Sequence, residues 1–213
     1  MPERPKHSLA FRLYFLSIAA LVVIGIMIEI VVSAHRQGGY FDTPLARVLN
    51  LFAYFTILSN TIVGVTSFIL ATKTRITSNL FWGFRLSGLA AIIITFIVQY
   101  LLLRGHTAPG WPQVSDTIVH IIVPIMTLLG WLVFRPRGHM SKQIVALSTA
   151  FPITWIGFTL IRGHLTNWYP YDFINAGKLG YLIAFRNITI VIALFGVIIL
   201  LAKFFDSRAT TQK

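Results

Sequence analysis

Few ionisable side chains lie within the apolar stretches of this sequence, and His120 has the most informative neighbours. Asp116 precedes it by four residues, which places the carboxylate on the same helical face. Pro124 follows by four residues, where a proline removes the backbone hydrogen bond to the His120 carbonyl and can kink the helix. A desolvated imidazole is neutral and can act as a base. A histidine that only hydrogen-bonds a neighbouring helix is the structural alternative.

A second polar group, formed by Thr56, Ser59 and Asn60, shares one helical face because its members are three and four residues apart. A threonine in a membrane helix usually bonds its hydroxyl to a carbonyl one turn back, and this structural role stays open for Thr56. The chemical alternative is a nucleophile, which an alcohol becomes when a nearby base takes its proton. His120 is the candidate base, and Asn60 or Ser59 is the candidate donor to an oxyanion.

Two acids are candidates for orienting the imidazole, as the third member of a catalytic triad does. Asp116 is one, and Glu29 in the first apolar stretch is the other. Each also has a structural explanation. Glu29 can reach water near the headgroups, and Asp116 can favour the positive end of its helix dipole.

Metal and cofactor chemistry has little support in this sequence. His35, His106 and His164 follow three apolar stretches, but no pair of them has the spacing of metal ligands. The chain has no cysteine, no glycine-rich phosphate loop and no G-x-S-x-G motif. We therefore expect neither a metal nor a cofactor.

The composition is that of a membrane protein. Of its 213 residues, 56% are hydrophobic and 11% are charged, and the mean hydropathy is +0.76. Soluble domains carry about 25% charged residues. The net charge of +12 is better explained by membrane topology than by nucleic-acid binding, because the basic residues lie between apolar stretches.

The sequence predicts an all-α membrane bundle with one domain over residues 1–213 and six transmembrane helices. Each predicted span is long enough to cross about 30 Å of hydrocarbon at about 1.5 Å per residue. The predicted spans are residues 9–33, 48–71, 86–103, 115–134, 143–161 and 180–202.

The distribution of basic residues predicts that both ends of the chain are cytoplasmic. Twelve of the 18 basic residues fall on one side of these spans: Arg4, Lys6, Arg12, Lys73, Arg75, Arg85, Arg135, Arg137, Lys142, Lys203, Arg208 and Lys213. The other side holds six: Arg36, Arg47, Arg104, Arg162, Lys178 and Arg186. In this orientation the polar residues of the spans, Gln99 among them, lie in the outer half of the bilayer, and the inner half is nearly free of them.

Three segments resemble a known family in their order and spacing. They are residues 52–60 (FAYFTILSN), the pattern His120-x-x-x-Pro124 followed by Gly130-Trp131, and the run Trp168-Tyr169-Pro170-Tyr171. Together they resemble a prokaryotic six-span membrane family related to the eukaryotic androgen-induced proteins. The chain departs from the family pattern at Asp172, where a proline is expected, and at Asn175, where an acid is expected.

The resemblance implies an activity and two roles. The eukaryotic members are intramembrane threonine hydrolases that cleave fatty acid esters of hydroxy fatty acids, and the matching positions here are Thr56 as nucleophile and His120 as second essential residue. It also implies a bacterial plasma-membrane protein whose partner is a membrane lipid or another fatty acyl ester. Two other functions stay open, a small proton-coupled transporter using Glu29, Asp116 and His120, and a non-catalytic membrane protein.

Overall fold

A computed structural model describes residues 8–73, 75–103, 107–134 and 140–210, with side chains described as far as Asp206. Several residues named above lie outside this part of the chain: Arg4, Lys6, Arg104, His106, Arg135, Arg137, Lys213 and the side chain of Arg208.

The described chain is a bundle of helices, six of them long and apolar enough to cross a membrane, which confirms the predicted fold class. Five of the six are α1 (Leu9–His35), α3 (Phe55–Thr72), α4 (Asn79–Val98), α7 (Lys142–Thr166) and α9 (Tyr181–Thr210). α4 continues into a π-helical turn, Gln99–Leu103. The remaining crossing joins α5 (Trp111–Thr117), a π-helical turn (Ile118–Ile122) and α6 (Val123–Phe134). Short helices α2 (Pro44–Leu51) and α8 (Ala176–Leu179) lie in the connections.

Serine caps explain where several of these helices begin. Ser8, Ser78 and Ser141 each accept a hydrogen bond from the backbone N–H three residues later. Such caps satisfy N–H groups that have no partner inside the helix. Because Ser78 is a cap, α4 begins at Asn79 rather than at residue 86, and Arg85 lies inside it.

The predicted span over residues 48–71 is wrong at its start, because the chain there forms two helices. Thr43 caps α2, and Pro44 occupies its first turn. The N–H groups of Phe52, Ala53 and Tyr54 then bond to carbonyls three residues back, at 3.2, 3.0 and 3.0 Å. These tight turns end α2, and α3 begins anew at Phe55. Thr56 therefore lies in the first turn of α3 instead of deep within a long helix.

α4 is at the centre of the bundle and packs against α3, α6, α7 and α9. One buried cluster, which includes Phe15, Val22 and Val63, joins α1 to α3 and the turn at Ile118–Ile122. A second, which includes Phe55 and Phe195, joins α4 to α7 and α9. α7 and α9 both contact α4, but their backbones stay apart over most of their length.

The charge count placed Arg85 in a cytoplasmic connection, but the residue lies within α4. Its side chain is 3% exposed within α4 and donates to Ser67 Oγ at 3.2 Å and Thr66 Oγ1 at 3.4 Å. The guanidinium also lies 5.2 Å from the centre of the Phe15 ring. A buried arginine carries no information about topology, so the bias becomes eleven basic residues against six.

Candidate functional site

Two side chains that are far apart in the sequence meet at one end of the bundle. Thr56 Oγ1 lies 3.2 Å from His120 Nε2, which is hydrogen-bond distance. Thr56 is 8% exposed, and the His120 side chain is 14% exposed. A neutral imidazole in this position can accept the threonine proton, provided that Nε2 is the unprotonated nitrogen. The hydroxyl is thus paired with a base in a place with little access to water.

The π-helical turn Ile118–Ile122 presents His120 to α3. In this turn the N–H of Val123 bonds to the carbonyl of Ile118, five residues back. The same spacing would pair the Val119 carbonyl with residue 124, but Pro124 has no N–H. Asn60 Nδ2 bonds to that free carbonyl at 3.1 Å. The proline and the asparagine together explain why the wider turn forms here, and π-helical turns of this kind are frequent at functional sites.

Asp116 is the acid that faces the imidazole. Its Oδ1 lies 2.9 Å from His120 Nδ1, although the ring N–H does not point straight at it. Gln99, in the π-helical turn at the end of α4, donates its amide to the same oxygen at 2.9 Å. This contact orients the carboxylate, and the carboxylate favours the tautomer with the proton on Nδ1. Gln99, Asp116, His120 and Thr56 form one chain of polar contacts.

The start of α3 supplies further donors next to the nucleophile. The first N–H groups of a helix have no partner within it, and they lie at the positive end of its dipole. The Thr56 N–H donates to the Tyr171 hydroxyl at 3.2 Å. The same hydroxyl lies 3.3 Å from Thr56 Oγ1. Because the Tyr171 oxygen accepts the backbone N–H, its own proton is free to point toward the reacting oxygen.

Tyr171 stays a hydrogen-bond donor over a wide pH range. Part of its ring is accessible, but protein surrounds its hydroxyl, and this burial raises the pKa of Tyr171 to about 12. The hydrogen bonds from Thr56 oppose that rise, since they stabilise the phenolate.

Like Gln99, Tyr171 was not predicted from the sequence as a residue of this site. It belongs to the run Trp168–Tyr169–Pro170–Tyr171, which carried the family resemblance but suggested no chemical role for any residue. The structure folds this segment back over α7. The Tyr169 ring packs so closely on Gly163 that a side chain at that position would collide with it. Trp168 lies under the Arg162 guanidinium, 4.4 Å from it.

A cavity of about 150 Å³ extends from this polar cluster toward the middle of the bundle. Thr56, His120 and Tyr171 border it, together with Thr95 and Thr149. Its other walls are aliphatic or aromatic side chains from α3, α4 and the π-helical turn that follows it, α7, α9 and the segment Asp172–Ile174: Phe55, Ile94, Val98, Leu103, Pro152, Ile153, Trp155, Ile156, Phe173, Ile174, Ile188, Val191, Ile192 and Phe195. Such a lining suits an apolar chain with one polar group at its end.

The other predicted site residues have different surroundings. Asn60 uses its amide donors on the carbonyls of Thr56 and Val119. Ser59 donates to the Thr56 carbonyl at 3.0 Å and contacts Thr95 Oγ1 at 3.1 Å. Neither residue borders the cavity. Glu29 is partly exposed. Burial raises the pKa of Tyr54, the charge of Arg36 opposes that rise, and the charge of Glu29 adds to it.

The described residues do not bring three metal-ligating side chains together. His35 Nδ1 contacts the Val31 carbonyl at 2.8 Å, and His164 Nδ1 contacts the Tyr181 hydroxyl at 2.9 Å. His106 lies outside the described residues.

The fold and this site define a helical membrane protein with a threonine, a histidine and an aspartate in series. Comparisons with family models, curated proteins and solved structures give no match for this chain.

Proposed function

We propose that this protein is an integral-membrane hydrolase that cleaves esters of long-chain fatty acids, with Thr56 as nucleophile and His120 as base. The observation that carries the proposal is the 3.2 Å contact between Thr56 Oγ1 and His120 Nε2 at the end of an apolar cavity. The resemblance to the threonine hydrolases supports the same pair of residues independently of the coordinates.

The first half of the reaction transfers the acyl group to the protein. His120 Nε2 takes the Thr56 proton while Oγ1 attacks the ester carbonyl carbon. The resulting tetrahedral intermediate collapses as the bond to the alcohol oxygen breaks, and His120 returns the proton to that oxygen. Asp116 stabilises the imidazolium formed in between, and Gln99 holds Asp116 in place.

The second half regenerates the threonine. Water replaces the alcohol, His120 takes a proton from it, and the hydroxide attacks the acyl-threonine carbonyl. The bond to Oγ1 breaks, Thr56 recovers its proton from His120, and a free fatty acid leaves. One water is consumed, and no other reactant is required.

The developing oxyanion needs donors, and we assign this role to groups at the start of α3 rather than to Asn60 and Ser59, whose donors bond to backbone carbonyls. The Tyr171 hydroxyl and the Thr56 N–H lie next to Oγ1, so they would be close to the ester carbonyl oxygen, on which the negative charge forms when Oγ1 attacks. Preorganised donors in an enclosed site are often the largest single source of rate acceleration. A substrate carbonyl would enter between Oγ1 and these donors.

The transporter alternative requires a polar path through the bundle. Buried polar side chains do occur toward the opposite end, including Ser67 and Arg85, contrary to the expectation of an inner half with few such groups. However, Val63 and Ile92, both 0% exposed, come between them and the site along α3 and α4. A fully buried apolar layer opposes a proton path, so the hydrolase is better supported.

The direct test is hydrolysis of a long-chain ester by the purified protein in detergent. Thr56→Ala should abolish turnover and labelling by a serine-hydrolase probe, whereas Thr56→Ser should retain part of both. His120→Ala should lower turnover by about 10²-fold or more, the usual contribution of a general base.

Thr61→Ala is the matched control. Thr61 is also on α3, but its hydroxyl donates to the Ile57 carbonyl at 2.7 Å, which is a purely structural contact. Turnover that is equally lost in Thr61→Ala, or probe labelling that persists in Thr56→Ala, would reject the nucleophile. A liposome flux that depends on a proton gradient and on His120 would favour the transporter instead.

A further inference from the structure

α7 and α9 leave a gap beside the cavity. Each packs against α4, and their backbones stay apart except near one end, where His164 Nδ1 of α7 contacts the Tyr181 hydroxyl of α9 at 2.9 Å. Pro152 and Ile156 of α7 border the cavity on one side, and Ile188 and Phe195 of α9 border it on the other. The side wall of the cavity is thus formed by two helices that do not close against each other.

Two isoleucines mark the place where this gap reaches the outer surface of the bundle. Ile153 on α7 and Ile192 on α9 both border the cavity. At the same time they are 64% and 50% exposed. A side chain that borders a cavity and is also exposed on the outside lies at the rim of an opening. We refer to Ile153 and Ile192 as the rim residues.

The rim residues lie near the middle of their helices. Ile153 is eleven residues after the start of α7 at Lys142, and Ile192 is eleven after the start of α9 at Tyr181. At about 1.5 Å per residue, each position is about 16 Å along a helix that must cross about 30 Å of hydrocarbon. The opening therefore faces the centre of the bilayer, where lipid acyl chains surround the protein.

The cavity joins this opening to the polar cluster. Its lining on α9 runs from Ile188 to Phe195, a distance of about 10 Å along the helix. Thr56 lies in the first turn of α3, where its neighbour Phe55 packs on Phe151 and Trp155 of α7, on either side of Ile153. The path from the rim residues to Thr56 therefore runs sideways into the bundle, at about one depth.

We propose that the substrate is an ester of a single long acyl chain, which enters sideways between α7 and α9 and lies with its carbonyl at Thr56 and its tail at the rim residues. This inference rests on the proposed hydrolase function for the position of the carbonyl. A short-chain ester leaves the part of the cavity that would hold the tail empty, so a label that narrows this part should affect it less.

The test uses the absence of cysteine from the sequence. Ile153→Cys and Ile192→Cys are compared with Ile161→Cys on α7 and Ile190→Cys on α9, which are 65% and 61% exposed and do not border the cavity. Each variant is treated with a bulky maleimide, and the hydrolysis of p-nitrophenyl palmitate and p-nitrophenyl acetate is measured before and after.

Labelling at the rim residues should slow palmitate hydrolysis by about tenfold or more and change acetate hydrolysis by less than about twofold. Labelling at Ile161→Cys or Ile190→Cys should change neither. Undiminished palmitate hydrolysis after rim labelling, or an equal loss on both esters, would overturn the entry route.

A second measurement needs no turnover. A fatty acid with a photoreactive diazirine at its chain end is irradiated with the detergent-solubilised protein, and the cross-linked peptides are mapped. Cross-links should fall within residues 149–156 and 188–195 and decrease after rim labelling. Cross-links there without any Thr56-dependent hydrolysis would reject the proposed reaction and keep the opening. Thr56-dependent hydrolysis with cross-links only elsewhere would reject the opening and keep the reaction.

Discussion

The Thr56 hydroxyl lies between two other groups, the His120 imidazole at 3.2 Å and the Tyr171 hydroxyl at 3.3 Å. The imidazole accepts the proton that Thr56 gives up when its own proton is on Nδ1, the nitrogen that faces Asp116. The phenol is a neutral donor, so it can stabilise an oxygen that becomes negative. His120 is thus placed for proton transfer, and Tyr171 for the stabilisation of negative charge.

Tyr171→Phe should therefore lower kcat by about 10²-fold, the usual effect of removing one oxyanion donor. KM should change little, because the ring that borders the cavity is retained. Steady-state kinetics on a long-chain ester measure both. An increase in KM with unchanged kcat would show that Tyr171 only binds the substrate.

The raised pKa of Tyr171 predicts a second difference between Tyr171→Phe and the wild-type protein, in how their stability depends on pH. Below about pH 10, the model-peptide value, the phenol is neutral in the folded and unfolded states, so its ionisation does not affect stability. Above that pH the unfolded chain loses the proton first, because the folded pKa is about 12. Stability should fall between these values, and the fall should be smaller in Tyr171→Phe. Thermal unfolding at pH 9 and pH 11 compares the two proteins.

Arg85 is the least satisfied charge that the structure describes. Its Nε and Nη2 atoms are buried without a hydrogen-bond partner, and no described carboxylate pairs with it. Arg85→Met keeps most of the volume and removes the cost of burying the charge, so it should raise the free energy of unfolding by about 1–3 kcal/mol. Arg85→Ala should be less stable than Arg85→Met, because it leaves a cavity.

Unfolding in detergent, followed by circular dichroism, distinguishes these outcomes. If Arg85→Met and Arg85→Ala lose similar stability, the charge itself is required and an anion near Arg85 must be sought. Ester hydrolysis should be unaffected in Arg85→Met, since Arg85 does not border the cavity.

At the scale of elements, two interruptions of helical geometry form the site. The break before α3 leaves backbone groups on both sides of it without a partner in the same helix. The Thr56 N–H reaches Tyr171, and the Ala53 carbonyl accepts from Trp155 Nε1 at 2.9 Å. The π-helical turn releases the Val119 carbonyl to Asn60. Each released group finds a partner on another helix, which links the local geometry to the packing of the bundle.

Close packing of α1 holds the second interruption in place. A Cβ atom at Gly25 would lie 2.8 Å from Val119 Cγ1 and 3.0 Å from Ile118 Cγ2, at the start of the π-helical turn. Gly25→Val should cost about 1–3 kcal/mol of stability and displace His120, so that kcat falls more than KM changes. Gly196→Ala, with open space around its added carbon, is the control that should keep wild-type activity. Unfolding and kinetics on the same preparations test both.

The sequence predicted that Thr56 and His120 lie close together, but not the backbone geometry that brings them there. Helical spacing singled out His120 and Asp116, whereas Thr56 was selected as the nucleophile by the family resemblance. The break at residues 52–54 left no local signal, since the run from Val48 to Phe55 contains neither glycine nor proline and looks like one helix. It is stabilised by partners that are distant in sequence, Tyr171 and Trp155. Gln99 was placed at the right level, but its contact with Asp116 depends on the π-helical turn that ends α4.

At the scale of the whole molecule, the basic side chains at the two ends of the bundle have different surroundings. At the site end, Arg47 donates to the carbonyls of Ser33, Ala34, Phe41 and Asp42. Arg162 donates to Asn50 Oδ1 at 2.7 Å and stacks on Trp168. These two cations hold the connection between α1 and α2 and the end of α7. At the other end, Lys73 and Arg75 lie in the exposed connection between α3 and α4.

This asymmetry predicts that the site end faces outward and that both termini are cytoplasmic, because basic residues in short connections are retained inside. Gln37 lies in the exposed connection at the site end, and Thr77 is exposed at the opposite end. The test compares the variants Gln37→Cys and Thr77→Cys. In intact cells a membrane-impermeant maleimide should label Gln37→Cys at once and Thr77→Cys only after permeabilisation. The reverse pattern would invert the protein in the membrane and assign the proposed acyl ester to the cytoplasmic leaflet. The internal geometry of the site would be the same in either case, so this experiment decides which leaflet supplies the substrate.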